Sequence, residues 1–329
     1  MITTRAPLRI PLGGGGTDLP GYACEYGGFV LSAGIDKYVY IQVNTLKVED
    51  FVRVKYSRTE RADQPQDIRH PLLREALLHT HVRGGLEISA MADIPGRTGM
   101  GSSGAFTVAL LAALHTHKRE QVPTQELAEE AYYVETGRAR QPAGKHDHYL
   151  AAYGGLTCLE IEPSFKVRAY PLRIDVHTLE ELRNSMLLFY TGIERESQDI
   201  LAQQESDTQR GDAQIIQSLH AVKRLGLEIK AALEEGDLAR FGNLLDEHWQ
   251  MKKRRSSMMS TPDIDRWYEA GRQAGALGGK IMGAGGGGFL MFYCPAEYRW
   301  SLRERMAAEG LREMRFHFDM EGVKVLMNA

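Results

Sequence analysis

The segment Pro95-Gly-Arg-Thr-Gly-Met-Gly-Ser-Ser-Gly-Ala105 decides how the rest of the chain is read. It follows a strand-like stretch at 85–91 and opens a helix over 102–117. Ala105, Phe106, Val108, Leu110, Leu111 and Leu114 make that helix apolar on nearly every side, so it belongs in a core. A helix N-terminus carries about four unpaired N–H groups and roughly half a positive charge. Gly96, Gly99, Gly101 and Gly104 let a polyphosphate approach the backbone there, which makes an anion site. Ser102 and Ser103 add hydroxyls that can cap the helix or touch a phosphate-bound cation. A capped helix behind a flexible loop is the plainer reading, but two adjacent serines after three spaced glycines exceed what a cap requires.

The same residues spell Gly-x-Gly-x-x-Gly at 99, 101 and 104, so a dinucleotide-binding module has to be weighed. That fingerprint needs a second strand after the helix, with an acidic residue at its end. Here the helix leads through Pro123 into another helix, with Thr124 as its N-cap and Leu127, Ala128, Ala131 and Tyr132 on one face. A Walker loop and the protein-kinase signatures are absent. An NAD(P)-dependent oxidoreductase is therefore the outside alternative.

Glu135 continues the apolar stripe of that second helix, and a carboxylate facing a core needs a partner. A divalent cation held near the start of the 102–117 helix is one solution; a local ion pair with Arg138 is another, and the residues leave both open. Then comes Gly144-Lys-His-Asp-His-Tyr149. His146 and His148 suggest a zinc site, but residues two apart on a helix face different ways. Asp147 can instead accept a proton from a substrate hydroxyl or orient it, with Lys145 or an arginine lowering its pKa; a surface aspartate is the dull alternative.

Further out, the 34 glycines fall into clusters: Gly13–Gly16 after an apolar strand, the 96–104 group, and Gly283 with Gly285–Gly288 between two strand-like stretches. Residues 29–45 and 51–57 read as strands, 155–161 with 165–172 as a hairpin, and 186–191 as a strand. Charge-laced helices occupy about 195–275, and a helix near 296–309 is followed by strands near 313–319 and 323–327. An α+β fold in two domains, 1–180 and 181–329, is expected, with the charged stretch 173–184 as the boundary.

Composition narrows the function. With 43% hydrophobic and 25% charged residues and a net charge of −3, the chain has material for a core and no basic surface for nucleic acid. Cys24, Cys158 and Cys294 lie far apart, which fits reduced thiols better than a disulfide framework. No apolar run reaches the roughly 18 residues that span a bilayer, and the N-terminus does not read as a signal peptide. A cytoplasmic location without nucleic-acid or membrane partners is expected.

Gly-x-Gly-Ser-Ser at 99–103, Gly-x-x-Asp at 144–147 and Lys280-Ile-Met-Gly-Ala-Gly-Gly-Gly-Gly288 resemble the three signatures of the GHMP kinase superfamily, in order along most of the chain. The N-terminal Arg9, Gly14-Gly-Gly-Thr-Asp18-Leu-Pro, Gly27-Gly28 and Ile35-Asp-Lys37 are similar to those of D-glycero-D-manno-heptose 7-phosphate kinases. Galactokinases carry Glu-His-Thr-Asp where this chain has Gly-Gly-Thr-Asp.

The resemblance implies an N-terminal α+β domain with a left-handed crossover, against the usual right-handed rule, then a ferredoxin-like domain, with ATP and sugar between them. It implies that Ser103 and Glu135 hold Mg²⁺, that the 96–104 loop cradles the phosphates, that Asp147 acts on the acceptor hydroxyl and that Arg9 neutralises the transferred group. Gly15, Gly16, Thr17 and Asp18 would face sugar hydroxyls, joined by Gly283, Ala284 and Gly285 from the last signature, with Thr191 a weaker candidate. An acceptor phosphate would need basic partners, for which Arg138, Arg140 and Lys145 come before Lys252 and Lys253. Lys252–Arg255 otherwise reads as a solvated helix face. The activity implied is phosphorylation of the anomeric hydroxyl of a heptose 7-phosphate; a kinase of free fucose or mannose is the second choice, and a non-catalytic sugar sensor comes from a different class.

Overall fold

Strand β1 (Ile2–Gly13) and helix α1 (Pro20–Tyr26) lead into the 18-residue strand β2 (Gly28–Thr45), on which the first sheet is built. The second half of β2 alternates, with Val39, Ile41 and Val43 buried and Tyr38, Tyr40 and Gln42 partly exposed, as a sheet covered on one face requires. Strands β3 (Val52–Lys55) and β4 (Thr59–Ala62), helix α2 (Pro71–His79) and β5 (Leu86–Ala92) complete that side. The structure, a computed structural model, describes residues 1–194, 198–255, 259–283 and 285–329.

Helix α3 (Ser102–Lys118) buries nine of its residues against β1 and β2, in keeping with its all-round apolar sequence. Its N-cap position is Gly101 in the left-handed region, at φ +75°, and no side chain caps it. Neither Ser102 nor Ser103 is a cap, so the first-turn N–H groups are left for something else. Helix α4 (Thr124–Tyr133) starts at Thr124 with Pro123 in the cap position and no side-chain cap bond, so Thr124 is its first residue and not its N-cap. A π-turn over Val134–Arg138 follows and carries Glu135. Helix α5 (His146–Tyr153) then precedes the hairpin β6 (Leu156–Ile161) and β7 (Val167–Pro171). A helix follows α3 where a dinucleotide module needs a strand, which removes that alternative.

The stretch read as a boundary contains helix α6 (Val176–Ser185), capped by Asp175, whose carboxylate accepts from Thr178 N at 3.0 Å. Strand β8 (Met186–Tyr190) begins the second sheet, and four helices follow: α7 (Gln198–Gln209), α8 (Ala213–Glu234), α9 (Leu238–Arg255) and α10 (Pro262–Gln273). Strands β9 (Gly278–Ile281) and β10 (Phe289–Tyr293), helix α11 (Arg299–Ala308) and strand β11 (Arg312–Met314) close it. The antiparallel order β11-β8-β10-β9 is the ferredoxin-like arrangement, with several helices in place of its first one. Beyond Met314 the expected strand does not continue: Phe318 bridges to Ile35, and β12 (Lys324–Asn328) pairs with β1 in the first sheet.

The two halves share packing. One apolar cluster runs from Leu8, Leu12 and Leu31 through Leu225 and Ile229 of α8 to Met282 and Met291; a second, with Trp249, Ile264, Tyr268 and Phe292, is confined to the second half. A Cβ on Gly13 would lie 2.9 Å from Gly226 Cα, so the end of β1 is held directly against α8.

Candidate active site

A cleft of about 330 Å³ opens between the halves. Its floor is the end of β1 and the 97–103 loop, one wall is the start of α5, and the other comes from α7, α9 and the β9 end.

Arg9 emerges where the β1–β2 register shifts, between Pro7 and Leu8 and again between Pro11 and Gly13. Bulges of this kind re-aim side chains beside functional sites. Only 5% exposed, Arg9 donates from Nε to Asp147 Oδ1 at 2.7 Å and from Nη1 to the Gly99 carbonyl at 2.5 Å. Its backbone N–H donates to the Met100 carbonyl at 3.0 Å, tying β1 to the glycine loop.

Glycines bring the pieces together. A Cβ on Gly104 would sit 2.8 Å from Asp147 Cβ, and one on Gly144 would overlap the Asp18 carboxylate at 2.0 Å. The first lets α3 press against Asp147; the second lets the N-terminal Gly-Gly-Thr-Asp segment reach α5. Gly99 and Gly283 meet in the same way, with a Gly283 Cβ 2.6 Å from Gly99 Cα, so the last glycine cluster seats the 97–103 loop.

His146 links the two aspartates. Its Nδ1 is 2.7 Å from Asp18 Oδ2 and its Nε2 is 2.8 Å from Asp147 Oδ1, while its backbone N–H donates to Asp18 Oδ2 at 3.0 Å. Burial opposes charge on the imidazole, but Asp147 and Asp18 outweigh it and push the pKa up to about 9. Burial likewise opposes charge on Asp147, and Arg9 and His146 reverse that, holding its carboxyl well below the usual range. Asp18 is also lowered, burial being overcome by His146. Because the folded pKa of His146 lies above its ordinary 6.5, its stabilising contribution is complete below about 6.5 and lost as pH rises through about 9. The expected result is that the Tm advantage of wild type over His146→Gln shrinks between pH 7 and pH 10. An advantage constant with pH would contradict the bridge.

Glu135 lines the cleft and is buried, and its Oε2 lies 2.7 Å from His148 Nε2. Arg138 is not its partner: the guanidinium pairs with Glu75 at 3.2 Å, which removes the Arg138 reading of Glu135. The two histidines thus serve different carboxylates, and among the described residues no group of three His, Cys, Asp or Glu is placed to hold a metal, so the zinc reading fails. Ser102 Oγ is buried without a hydrogen-bond partner, and Ser103 is exposed to the cleft. Two hydroxyls and a carboxylate are oxygen donors of the kind that suit Mg²⁺ beside a polyphosphate.

Several expected contacts are corrected. Lys145 faces away from the cleft, held by Glu129 at 2.6 Å and the Phe165 carbonyl at 2.9 Å. Arg138 and exposed Arg140 do not line the cleft either, so none of these three is placed to receive an acceptor phosphate. Thr17 is buried and spends its hydroxyl on the Gly14 and Phe29 carbonyls, at 2.8 and 2.9 Å; it shapes the glycine turn and leaves Gly15, Gly16 and Asp18 at the cleft. Thr191 donates to the Gly288 carbonyl at 2.8 Å and is structural. Gly285 backs onto Met259, Gly96 stands outside the cleft, and Ala284 lies outside the described residues. Lys252 leaves its expected solvated face and donates to the Gly283 carbonyl at the cleft.

The sequence reading missed His146 as a bridge, Lys280 as a cleft cation, and Gln204 and His248, which line the cleft from α7 and α9. Gln204 donates to the Gly16 carbonyl at 3.0 Å, and the Glu205 carboxylate accepts from Gly21 N at 2.9 Å. Adjacency to Asp147 was the one available signal for His146. Nothing in an amphipathic helix announces which polar residue will meet a loop nearly 190 positions away.

A glycine loop at an uncapped helix N-terminus, facing an arginine–aspartate pair in an interdomain cleft, is the arrangement of a small-molecule phosphotransferase. The chain belongs to the GHMP kinases: residues 70–155 match the family's N-terminal domain and residues 229–313 its C-terminal domain. It is 29% identical to the D-glycero-alpha-D-manno-heptose 7-phosphate kinase of Campylobacter jejuni, over 98% of both chains. Among solved structures, a D-glycero-D-manno-heptose 1-phosphate kinase from Bacteroides thetaiotaomicron superposes with a TM-score of 0.82 at 23% identity, covering all of both chains. Lactococcus lactis galactokinase in complex with galactose superposes with a TM-score of 0.78 at 17% identity, over 98% of this chain and 94% of that one. These two establish the fold, and it is the two-domain GHMP kinase fold.

Proposed function

We propose that the protein transfers the γ-phosphoryl group of ATP to the anomeric hydroxyl of D-glycero-D-manno-heptose 7-phosphate, giving the 1,7-bisphosphate. The observation that carries this reading is the end-to-end similarity to a heptose 7-phosphate kinase, combined with an Asp18 carboxylate bridged through His146 to Asp147. The bridge joins the Gly-Gly-Thr-Asp segment to Asp147, which supports reading the two as parts of one acceptor site.

In this reading the 97–103 loop and the N-terminus of α3 receive the nucleotide phosphates. Ser103 and Glu135 hold Mg²⁺, with His148 fixing the carboxylate. The ion, when bound, neutralises charge on the phosphate oxygens. Arg9 faces the transferred group, and Asp147 orients the acceptor hydroxyl. Held well below the usual carboxylate range, Asp147 is a weak proton acceptor until late in the transfer, which suits a loose transition state in which the attacking oxygen sheds its proton late.

Two tests belong to this reading. ATP consumption should be fastest with the heptose 7-phosphate in a screen that also holds free heptose, fucose, mannose, galactose and mevalonate. Preference for any of the others would replace the proposed acceptor. For the metal, Glu135→Gln should raise the Mg²⁺ concentration giving half-maximal activity by about tenfold, the loss of one charged ligand. An unaltered magnesium titration would remove Glu135 from the ion's shell.

A further inference from the structure

Lys280 is a buried lysine for which no described residue supplies a counter-ion. It is 2% exposed on strand β9, and its ammonium donates to the Leu12 carbonyl at 3.0 Å across the cleft floor. No carboxylate among the described residues pairs with it. The carboxylates of the cleft are engaged elsewhere: Asp147 by Arg9 and His146, Asp18 by His146, Glu135 by His148. The charged groups facing it are of its own sign, Arg9 from β1 and Lys252 from α9, and with burial they hold its pKa well below the ordinary lysine value.

A lysine buried among cations holds its charge only at a cost in stability unless an anion completes the site. A tie between β9 and β1 needs only a neutral donor to the Leu12 carbonyl, so the tie does not account for an ionisable amine set between Arg9 and Lys252. Three cations from three elements meet at one end of a cleft that also holds the glycine loop.

Building on the kinase reading, we propose that Lys280, flanked by Arg9 and Lys252, seats a phosphoryl group of a bound substrate. Two substrates supply that chemistry: the nucleotide, through the group being transferred, and the acceptor, through its own ester. The seat belongs to the second half of the chain, so its formation requires the halves to stay packed as they are across Leu12 and Lys280.

The test uses the full chain with Lys280→Met, which keeps length and removes charge, and Lys280→Arg, which keeps charge. Calorimetry with a non-hydrolysable ATP analogue and Mg²⁺, with heptose 7-phosphate and with free heptose is combined with kcat and KM. Charge-assisted hydrogen bonds are strong enough that Lys280→Met should lose about 10–100-fold and Lys280→Arg much less. A loss confined to heptose 7-phosphate binding assigns the seat to the acceptor's ester. A loss in analogue binding, or in kcat with both dissociation constants intact, assigns it to the transferred group. Unchanged binding and kcat in a folded Lys280→Met, or a lowered Tm alone, overturns the seat and leaves a structural tie. Should Lys280→Met fail to fold, Lys252→Met answers through the same titrations, and an unchanged result there overturns the seat equally. If wild type ignores heptose 7-phosphate, the acceptor reading fails, while the analogue titration still decides the seat.

Discussion

Asp147→Asn is expected to lower kcat by about 10²–10⁴-fold, with the affinity for ATP changed by no more than about twofold. The carboxylate is the shared partner of Arg9 at 2.7 Å and His146 at 2.8 Å, so the amide removes the anion from between two cations. Arg9 then keeps only its bond to the Gly99 carbonyl, and on the proposed mechanism the acceptor hydroxyl loses its acceptor. Part of the loss is therefore geometric, as expected where positioning and charge supply most of the catalysis. On the proposed mechanism the nucleotide phosphates are held by the glycine loop and the N–H groups that open α3, with Asp147 serving the acceptor, which is why nucleotide binding should survive. Near-normal turnover by a folded Asp147→Asn protein would take the residue out of the mechanism.

The second large effect concerns the acceptor. Heptose 7-phosphate should exceed the corresponding free heptose by at least about 10² in kcat/KM, or roughly 2.7 kcal/mol of transition-state binding. A site built around fixed charges rejects a ligand that leaves them unpaired. Among the described residues, the arginines and lysines that line the cleft are Arg9, Arg97, Lys252 and Lys280, not the Arg138 and Lys145 expected from the sequence. Equal turnover of the free sugar would promote the simple sugar-kinase reading.

Legibility followed locality. The buried helix α3, the hairpin β6–β7 and the glycine loop were readable because period and turn chemistry are local signals. Arg9, Asp18, Glu135 and Asp147 were readable through their motifs, and all four reach the cleft. What failed depended on where long side chains turn. Lys145 is two residues from Asp147 and points into a different pocket, toward Glu129 and Phe165. Lys252 sits in a basic run that looks solvated, yet its own helix turns it to Gly283. Thr17 reads as a sugar ligand beside Asp18, but the turn that exposes Gly15 and Gly16 consumes its hydroxyl. The pairing of β12 with β1 joins residues more than 300 positions apart and leaves no local trace.

The position of the transferred phosphate can be read from the product itself by ³¹P NMR. With ATP, Mg²⁺ and heptose 7-phosphate, a new phosphate resonance coupled to the anomeric proton is expected, with the existing ester signal retained and ADP formed in equal amount. ADP accompanied only by inorganic phosphate, or a new ester on any carbon other than the anomeric one, would contradict it.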